Sequence, residues 1–328
     1  MSPLVGIPAL LAEFGLRPAA VLEGLPVDLS IFESPETRIP YSVACRLVQN
    51  CVERTGCPHF GLLLGSRADH GVLGPAGEWM RNAPNLGACL TGFAAMQPSA
   101  SRGGVVYVFS SHDVVYFGYG IYGRRAEGWQ HLYPLVVAMA HNVVQKLTVG
   151  AAQPTEVLLS VREPEDRKPY HEVFRAPVLF NQPMSALVYP RQAMELPIVG
   201  ASPVDFSELE RKAAALMPPG QHVWTDRVKR VLRSLILEAE PVSATVAERL
   251  QVSDRTLRRH LAREGTTFQA VLDDLRFASA RELLEVTTLS VGEIALALSY
   301  STHSAFDDAF RRWSGTTPQR WRSAAAGR

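Results

Sequence analysis

The C-terminal third of the chain contains the same pattern twice, and this repeat constrains the fold more than any other feature. Each copy has a short apolar helix, a polar break and a second helix that carries arginine. The copies span residues 242–261 and 289–313. A helix, a tight turn and a second helix form a helix-turn-helix unit, whose second helix enters the major groove of DNA. Two such units in one chain predict a DNA reader that spans two groove segments without a partner subunit.

In the first unit, the spacing places arginine side chains on one face of a capped helix. Ser253 stands where an N-cap belongs, with its hydroxyl beside free backbone amides. Leu257 and Leu261 lie four residues apart and are expected to point inward. A guanidinium group can bond two acceptors on a guanine edge or hold a phosphate. The predicted DNA-binding residues are Ser253, Arg255, Thr256, Arg258 and Arg259.

The second unit repeats this arrangement with an aromatic buried side. Phe306, Phe310 and Trp313 recur at helical spacing, and Ser301 or Thr302 can cap the helix. The predicted DNA-binding residues of this unit are Thr302, His303, Ser304, Arg311 and Arg312. Between the units, residues 267–284 contain no glycine or proline and predict one continuous helix. If it separates the readers by about 34 Å, one duplex turn, both can face the same side of DNA.

Residues from about 223 to 322 resemble the DNA-binding domain of the AraC/XylS family of bacterial transcription regulators. The matching segments are residues 252–261, 265–268, 294–301 and 304–318. The resemblance implies an all-α domain with two helix-turn-helix units that binds promoter DNA. It also implies RNA polymerase as a partner and activation as the usual mode of regulation.

Two positions depart from the pattern of this family. Ser299 stands where the family usually has glycine, and Asp307 with Asp308 replaces a usual serine-arginine pair. Carboxylates repel phosphate, although an aspartate can accept a hydrogen bond from a cytosine amino group. The second unit is therefore expected to bind weakly, to read an unusual site or to serve mainly as a scaffold. We expect the first unit to carry most of the specificity.

Length and charge agree with this interpretation without requiring it. The 328 residues predict two domains. The net charge is +1, which by itself gives no nucleic-acid signal. From residue 223 onward there are 16 basic and 13 acidic residues, and 15 of the basic residues are arginine. Arginine is the residue suited to forked contacts with bases and phosphates, so the asymmetry points weakly toward DNA.

The N-terminal region has the mixed pattern of an α/β domain. Predicted helices include residues 42–54, 86–96 and 128–147, and predicted strands are 105–110, 114–122, 156–161 and 185–189. The first two strands form a hairpin around residues 111–113, and a proline-rich loop separates the last two. Short landmarks at 7–11, 38–40, 60–62, 71–74 and 170–180 resemble the arabinose-binding-like domain of one AraC/XylS branch. This resemblance implies an effector-sensing or dimerising role, and it does not name the effector.

The expected fold class is α+β, with an N-terminal sensor-type domain followed by an all-α domain. We place the effector or dimerisation domain at residues 1–204, a linker helix and Pro-Pro-Gly joint at 205–222, and the DNA-binding domain at 223–328. A ligand pocket lined by aromatic side chains is one hypothesis for the first domain, and a plain packed core is the alternative. The pocket candidates are Trp79, Tyr107, Tyr116 and Tyr119.

Several function classes find no support in the sequence. No GxSxG, HExxH, GxGxxG or phosphate-loop motif occurs, so catalysis is not expected. The four cysteines form no CxxC pair, and reduced thiols without metal are expected. No signal peptide or membrane-spanning run is evident, and we expect a cytoplasmic protein without a cofactor.

The working hypothesis is a one-component, sequence-specific regulator that binds double-stranded promoter DNA. Its N-terminal domain would sense a small metabolite, self-associate as a homodimer, or do both. Two alternatives remain open from the residues. The helical repeats could bind a protein instead of DNA, or the regulator could dimerise and bind DNA without any ligand.

Overall fold

The computed structural model describes residues 3–100, 103–121, 127–202, 206, 209, 224–238 and 241–326. The chain divides into two compact units, and the predicted α+β class is confirmed. The first unit comprises Met1–Leu159, Glu163–Leu179 and Met184–Leu216, and the second comprises Ser160–Arg162, Phe180–Pro183 and Met217–Arg328. The linker helix and proline joint predicted at 205–222 lie outside the described residues, apart from Phe206 and Leu209.

The first unit combines one mixed sheet with seven α-helices among its described residues. Its α-helices are α1 (Ile7–Glu13), α2 (Tyr41–Thr55), α3 (Phe60–Arg67), α4 (Pro75–Asn82), α5 (Leu86–Ala100), α6 (Leu132–Leu147) and α7 (Lys168–Phe174). Short 3-10 turns lie at Pro3–Gly6, Pro18–Val21, Leu29–Phe32, His70–Leu73, Trp129–His131 and Arg191–Glu195. The strands are β1 (Gly104–Ser111), β2 (Val114–Ile121), β3 (Glu156–Leu158), β4 (Val178–Leu179) and β5 (Ser185–Pro190).

The sheet has the strand order β1-β2-β5-β3-β4. The pairs β1–β2, β2–β5 and β5–β3 are antiparallel, whereas β3 and β4 run parallel. The predicted hairpin between β1 and β2 is confirmed, because Ser111 pairs with Val114 and only His112 and Asp113 form the turn. His112 has φ of +50°, the left-handed conformation that two-residue hairpin turns require.

The region predicted as a proline-rich loop contains two regular elements. Helix α7 occupies part of it, and Pro169 is tolerated there because the first turn of a helix needs no backbone N–H from that residue. The two-residue strand β4 follows directly after Pro177 and is too short to show a periodic pattern. The strand predicted at 156–161 is shorter than expected and ends at Leu158.

Two glycines allow α3 and α6 to pack at very short range. A Cβ atom at Gly61 would lie 2.5 Å from the His131 carbonyl oxygen, and one at Gly65 would lie 2.1 Å from that of Leu135. Both distances are far below van der Waals contact, so a side chain at either position would separate the helices. Tyr133, on α6, is fully buried in the core of this unit.

His141 is a buried histidine on α6 whose charge state depends on packing. Its ring is 5 % exposed and lies edge-on to Phe174, with 5.5 Å between ring centroids. Burial lowers the pKa of His141 from 6.5 to about 4, and the nearby Arg175 acts in the same direction. The folded protein therefore keeps His141 neutral at a pH where the unfolded chain already binds a proton.

We expect the first unit to lose stability as the pH falls from about 6.5 to about 4. Within this pH range the unfolded chain binds a proton at His141 that the folded protein does not bind. At pH 5 the free energy of unfolding is therefore about 2 kcal/mol lower than at pH 8. Chemical denaturation across this pH range measures the slope, and His141→Leu is expected to flatten it. His171→Leu, at an exposed histidine, is the matched control. An unchanged slope in His141→Leu would contradict the assignment.

All four cysteines of the chain lie buried in the first unit as free thiols. Cys45, Cys51 and Cys89 have no exposed surface, and Cys57 is 7 % exposed. Burial raises the pKa of Cys45, Cys51 and Cys89 to about 12 and also raises the pKa of Cys57. The thiolate form that reacts with oxidants and metals is therefore disfavoured at all four positions.

The regular elements described in the second unit are all helices. Its helices are α8 (Trp224–Glu238), α9 (Ser243–Arg249), α10 (Asp254–Arg263), α11 (Phe268–Val286), α12 (Val291–Ala297), α13 (His303–Ser314) and α14 (Pro318–Ala326). The continuous helix predicted between the two helix-turn-helix units is α11, which has 19 residues and is about 28 Å long. Within the part of the chain that the structure describes, no helix could cross a membrane.

The two helix-turn-helix turns have the same backbone geometry. Gln251 ends α9 in the left-handed conformation with φ of +56°, and Ser299 ends α12 with φ of +58°. In each turn the next amide closes back on the helix, from Val252 to the Ala247 carbonyl at 3.0 Å and from Tyr300 to the Ala295 carbonyl at 2.9 Å. This is the Schellman pattern of helix ends, which favours glycine at the left-handed position.

Replacing Gln251 by glycine is expected to stabilise the second unit by about 0.5–1 kcal/mol, because the left-handed backbone strains a residue that has a Cβ atom. Ser299→Gly is expected to change stability little. It relieves the same strain but removes the hydrogen bond from Ser299 Oγ to the Ile236 carbonyl at 2.6 Å, which offsets the gain. Urea denaturation of both variants tests this difference. A larger gain from Ser299→Gly than from Gln251→Gly would contradict it.

Candidate nucleic-acid interface

The first candidate recognition helix is α10, and its orientation follows from its cap and its buried side. Ser253 is the N-cap, and its hydroxyl accepts a hydrogen bond from the Thr256 amide at 3.2 Å. Leu257 and Leu261 are fully buried, as the spacing predicted. The side chain of Thr256 is half-buried, and its hydroxyl accepts a hydrogen bond from Ser253 Oγ at 2.9 Å. The opposite side of α10 faces solvent.

The three arginines predicted to contact DNA lie on this exposed side, but they are not equivalent. Arg258 Nε donates to Asp254 Oδ2 at 2.9 Å, one helical turn earlier. Arg255 and Arg259 form no ion pair with any residue that the structure describes. Their guanidinium groups are therefore available for bases or phosphates, whereas Arg258 is already held on the flank of the helix.

Asp254 links the two helices of the first helix-turn-helix unit, a role that was not predicted from the sequence. Its Oδ1 accepts a hydrogen bond from the hydroxyl of Ser243 at the start of α9, while its Oδ2 binds Arg258. The carboxylate also lies in the first turn of α10, where negative charge is favourable. Asp254 thus joins α9 to α10, the two helices of the first helix-turn-helix unit, and orients Arg258. The Ser-to-Asp spacing of 11 residues gave no local signal for this contact.

The second candidate recognition helix is α13. Thr302 caps it by accepting from the Ala305 amide at 3.2 Å, which decides between the two predicted caps. Phe306 and Phe310 are fully buried, and Trp313 is half-buried. The predicted contact residues that are exposed here are Thr302, His303, Ser304, Arg311 and Arg312.

Two of these exposed residues are already engaged. Arg312 Nη2 lies 3.4 Å from Asp273 Oδ2 on α11, and His303 Nε2 lies 3.8 Å from Asp307 Oδ1. Asp307 is itself three-quarters buried, whereas Asp308 is exposed. The two carboxylates of this helix therefore have different surroundings, which their adjacency in the sequence does not reveal.

Buried cations connect α11 to its neighbours. On one side, Arg276 donates to the Leu298 carbonyl at 3.1 Å and to the Ser299 carbonyl at 3.2 Å, and it lies over the ring of Tyr300 at 4.6 Å. These carbonyls end α12, where a positive charge is favourable. Arg276 therefore holds the turn of the second helix-turn-helix unit against α11.

A buried ion pair also joins α11 to α8. Arg233 donates to the Ser279 hydroxyl, and its Nη2 lies 3.9 Å from Glu282 Oε1. The side chains of Arg233 and Glu282 are 6 % and 7 % exposed. Charged groups this deeply buried need each other's charge, so this pair fixes the position of α8 on α11.

The start of α8 is bound to the end of α10. Glu264 accepts hydrogen bonds from the Trp224 and Thr225 amides at 2.6 and 2.9 Å. The Trp224 ring stacks on His260 of α10 with 4.1 Å between centroids, and Arg227 lies 4.2 Å from the Trp224 ring centroid. Desolvation acts to raise the pKa of Glu264, but the hydrogen bonds from Thr225 and Trp224 outweigh it and lower that pKa. The N-terminal end of α8 is therefore bound directly to the C-terminal end of α10, the first candidate recognition helix.

The four aromatic pocket candidates of the first unit do not converge on one place. Because Tyr107 pairs with Gly118 and Tyr116 with Phe109, Tyr107 and Tyr116 share one face of the sheet. Tyr119 lies on the opposite face, where its hydroxyl is 2.8 Å from that of Tyr41. Trp79 is on α4 and packs against Phe206 with 5.0 Å between ring centroids. Trp79, Tyr107 and Tyr119 are buried, and Tyr116 is half-buried.

Comparison with protein families identifies both parts of the chain. The arabinose-binding domain of AraC transcription regulators matches residues 15–198, and a helix-turn-helix domain matches residues 246–324. The chain therefore belongs to the AraC family of transcription regulators. The predicted family and the predicted role as a helix-turn-helix transcription regulator are confirmed.

Individual relatives match over almost the whole chain. The ornithine utilization regulator of Pseudomonas aeruginosa is 30 % identical, over 96 % of this chain and 93 % of that protein. The transcriptional regulator VirS of Mycobacterium tuberculosis is 25 % identical, over 98 % of this chain and 95 % of that protein. Among solved structures, the transcriptional regulator CdpR from Pseudomonas aeruginosa is 25 % identical and covers 94 % of this chain and 98 % of that chain, with a TM-score of 0.43.

Proposed function

We propose that this regulator reads its operator chiefly through Arg255 and Arg259 of α10. The observation that carries the proposal is that these two guanidinium groups are exposed on a capped helix and form no ion pair among the described residues. An arginine with both terminal nitrogens available can bond the O6 and N7 atoms of one guanine. Ser253, Thr256 and Arg258 then contact the backbone or support the cap, and α13 contributes Thr302, His303, Ser304, Arg311 and Arg312.

A gel-shift experiment on the full chain tests DNA reading. Duplexes from its own genome, especially those upstream of neighbouring genes, are titrated with and without candidate effectors. We expect a sequence-preferring complex whose affinity falls steeply with salt, because phosphate contacts release counterions. The absence of a preferred sequence under all conditions would favour the alternative that the helical repeats bind a protein.

The first unit is proposed to bind a small metabolite and to control DNA binding or activation in response. Support comes from the arabinose-binding domain that matches residues 15–198. The family resemblance makes activation through RNA polymerase the proposed mode, in the cytoplasm and as a homodimer. The proposed domain limits are 1–204, 205–222 and 223–328, and we assign the chain a regulatory rather than a catalytic role.

Thermal melts against a metabolite panel test the effector. The panel begins with ornithine and related basic amino acids, because one relative carries ornithine utilization in its name. A ligand present at 100 times its Kd is expected to stabilise the folded protein by about 2.7 kcal/mol. If no metabolite shifts the melt while the protein still dimerises and binds DNA, the first unit serves dimerisation alone.

A further inference from the structure

The two recognition helices can be superposed residue by residue in sequence, because their caps and buried positions coincide. Four and eight residues after the N-cap, α10 has Leu257 and Leu261 where α13 has Phe306 and Phe310, and all four are fully buried. Helix geometry then makes every other position equivalent. The residue six positions after the N-cap points almost directly away from this buried side, at about 200° around the helix axis from the first buried residue.

At this outward position α10 carries Arg259 and α13 carries Asp308. Both side chains are exposed. The residues five positions after the N-cap are Arg258 and Asp307, and neither is as available to contact a base. Arg258 is bound to Asp254, and Asp307 is three-quarters buried beside His303. The structure therefore separates Asp308 from Asp307 and places it where the first helix has its most outward arginine.

We propose that Asp308 is a specificity-determining residue of the second helix-turn-helix unit. At the position where the first helix-turn-helix unit selects guanine through Arg259, Asp308 makes the second one select cytosine. An ionised carboxylate only accepts hydrogen bonds. In the major groove guanine and thymine offer it acceptor atoms, and adenine places an acceptor, N7, beside its amino group. Cytosine presents the N4 amino donor without a neighbouring acceptor of its own, so it is the base that an aspartate selects.

Two neighbours offset the repulsion between this carboxylate and the phosphates. Arg311 lies three residues after Asp308, on the same exposed side and within the last turns of α13, and forms no ion pair among the described residues. Ser304 lies one turn before Asp308, and its hydroxyl can donate to a phosphate. Arg311 and Ser304 thus contact DNA phosphates on either side of Asp308, whose carboxylate accepts a hydrogen bond from the base. This inference rests on the proposed DNA-reading function.

Selection of preferred duplexes from a random pool by the full chain tests the inference. We expect wild-type protein to enrich sites with a cytosine that is lost in Asp308→Asn. Asparagine pairs with the N6 and N7 atoms of adenine, so adenine should replace cytosine at that one position. The expected preference for cytosine over other bases in wild type is about 10-fold, with a range of roughly 5- to 150-fold. Asp308→Arg should select guanine there.

Two controls make the result specific. Asp307→Asn removes an adjacent carboxylate and is expected to leave the selected sequence unchanged. Arg259→Asp should convert a guanine to cytosine in the other groove segment. If Asp308→Asn folds normally and enriches the same site as wild type, the inference is overturned while DNA reading stands. If wild-type protein enriches no site, DNA reading and the inference both fail.

Discussion

Replacing Arg255 and Arg259 together by alanine is expected to weaken binding to a preferred operator by about 2–6 kcal/mol, since each bidentate contact with a guanine contributes about 1–3 kcal/mol. Binding to unrelated DNA should weaken much less, because phosphate contacts elsewhere remain. Competition gel shifts with specific and random duplexes measure both affinities. The two arginines are exposed, so we expect the variant to fold like wild type.

A matched control removes the same charge elsewhere. Arg17→Ala combined with Arg320→Ala also deletes two exposed arginines, neither of which lies on α10 or α13. It is expected to leave the ratio of specific to random binding near the wild-type value. An equal loss of this ratio in both double variants would show that net charge, and not base reading by α10, determines specificity.

Arg233→Met is expected to destabilise the second unit by about 3–5 kcal/mol, because it breaks the buried ion pair between Arg233 and Glu282. The loss should appear in chemical denaturation followed by tryptophan fluorescence, since Trp224, Trp313 and Trp321 all lie in this unit. DNA binding should fall in parallel as the unfolded fraction rises. An unchanged denaturation midpoint would mean that this pair does not hold α8 to α11.

A double variant separates the pair from its two members. Arg233→Met combined with Glu282→Leu removes both charges and is expected to recover most of the lost stability, because an apolar pair of similar volume can replace a buried ion pair. The double-mutant cycle then gives the coupling energy directly. Additive losses in the two single variants and the double variant would contradict a direct interaction between Arg233 and Glu282.

Much of the second unit could be predicted from the sequence because its signals are local. Caps such as Ser253, buried residues at four-residue spacing and the uninterrupted stretch that became α11 all lie within a few turns of one another. The hairpin of β1 and β2 was predictable for the same reason, since its strands and its two-residue turn are adjacent in the chain. Local hydrogen-bonding and hydrophobic patterns dominate such elements.

The contacts that join distant segments could not be predicted in this way. Glu264 caps a helix that begins 40 residues earlier, and Arg233 meets Glu282 across almost 50 residues. These pairs depend on how helices pack, and no spacing rule connects their members. The difference between Arg258 and Arg259, by contrast, follows from a local rule, because Asp254 precedes Arg258 by one helical turn and can pair with it. The three tyrosines among the pocket candidates lie on different faces of the sheet, and Trp79 lies on a helix.

The burial of the four native sulfhydryls has a practical consequence for experiments on this regulator. A single cysteine introduced at an exposed position such as Ser304 would be the only residue of its kind that alkylating dyes and cross-linkers reach readily at neutral pH. Probes could therefore be attached to α13 without first removing the natural cysteines, whose replacement would disturb a tightly packed interior. Wild-type protein is in this respect already a background suited to site-directed labelling.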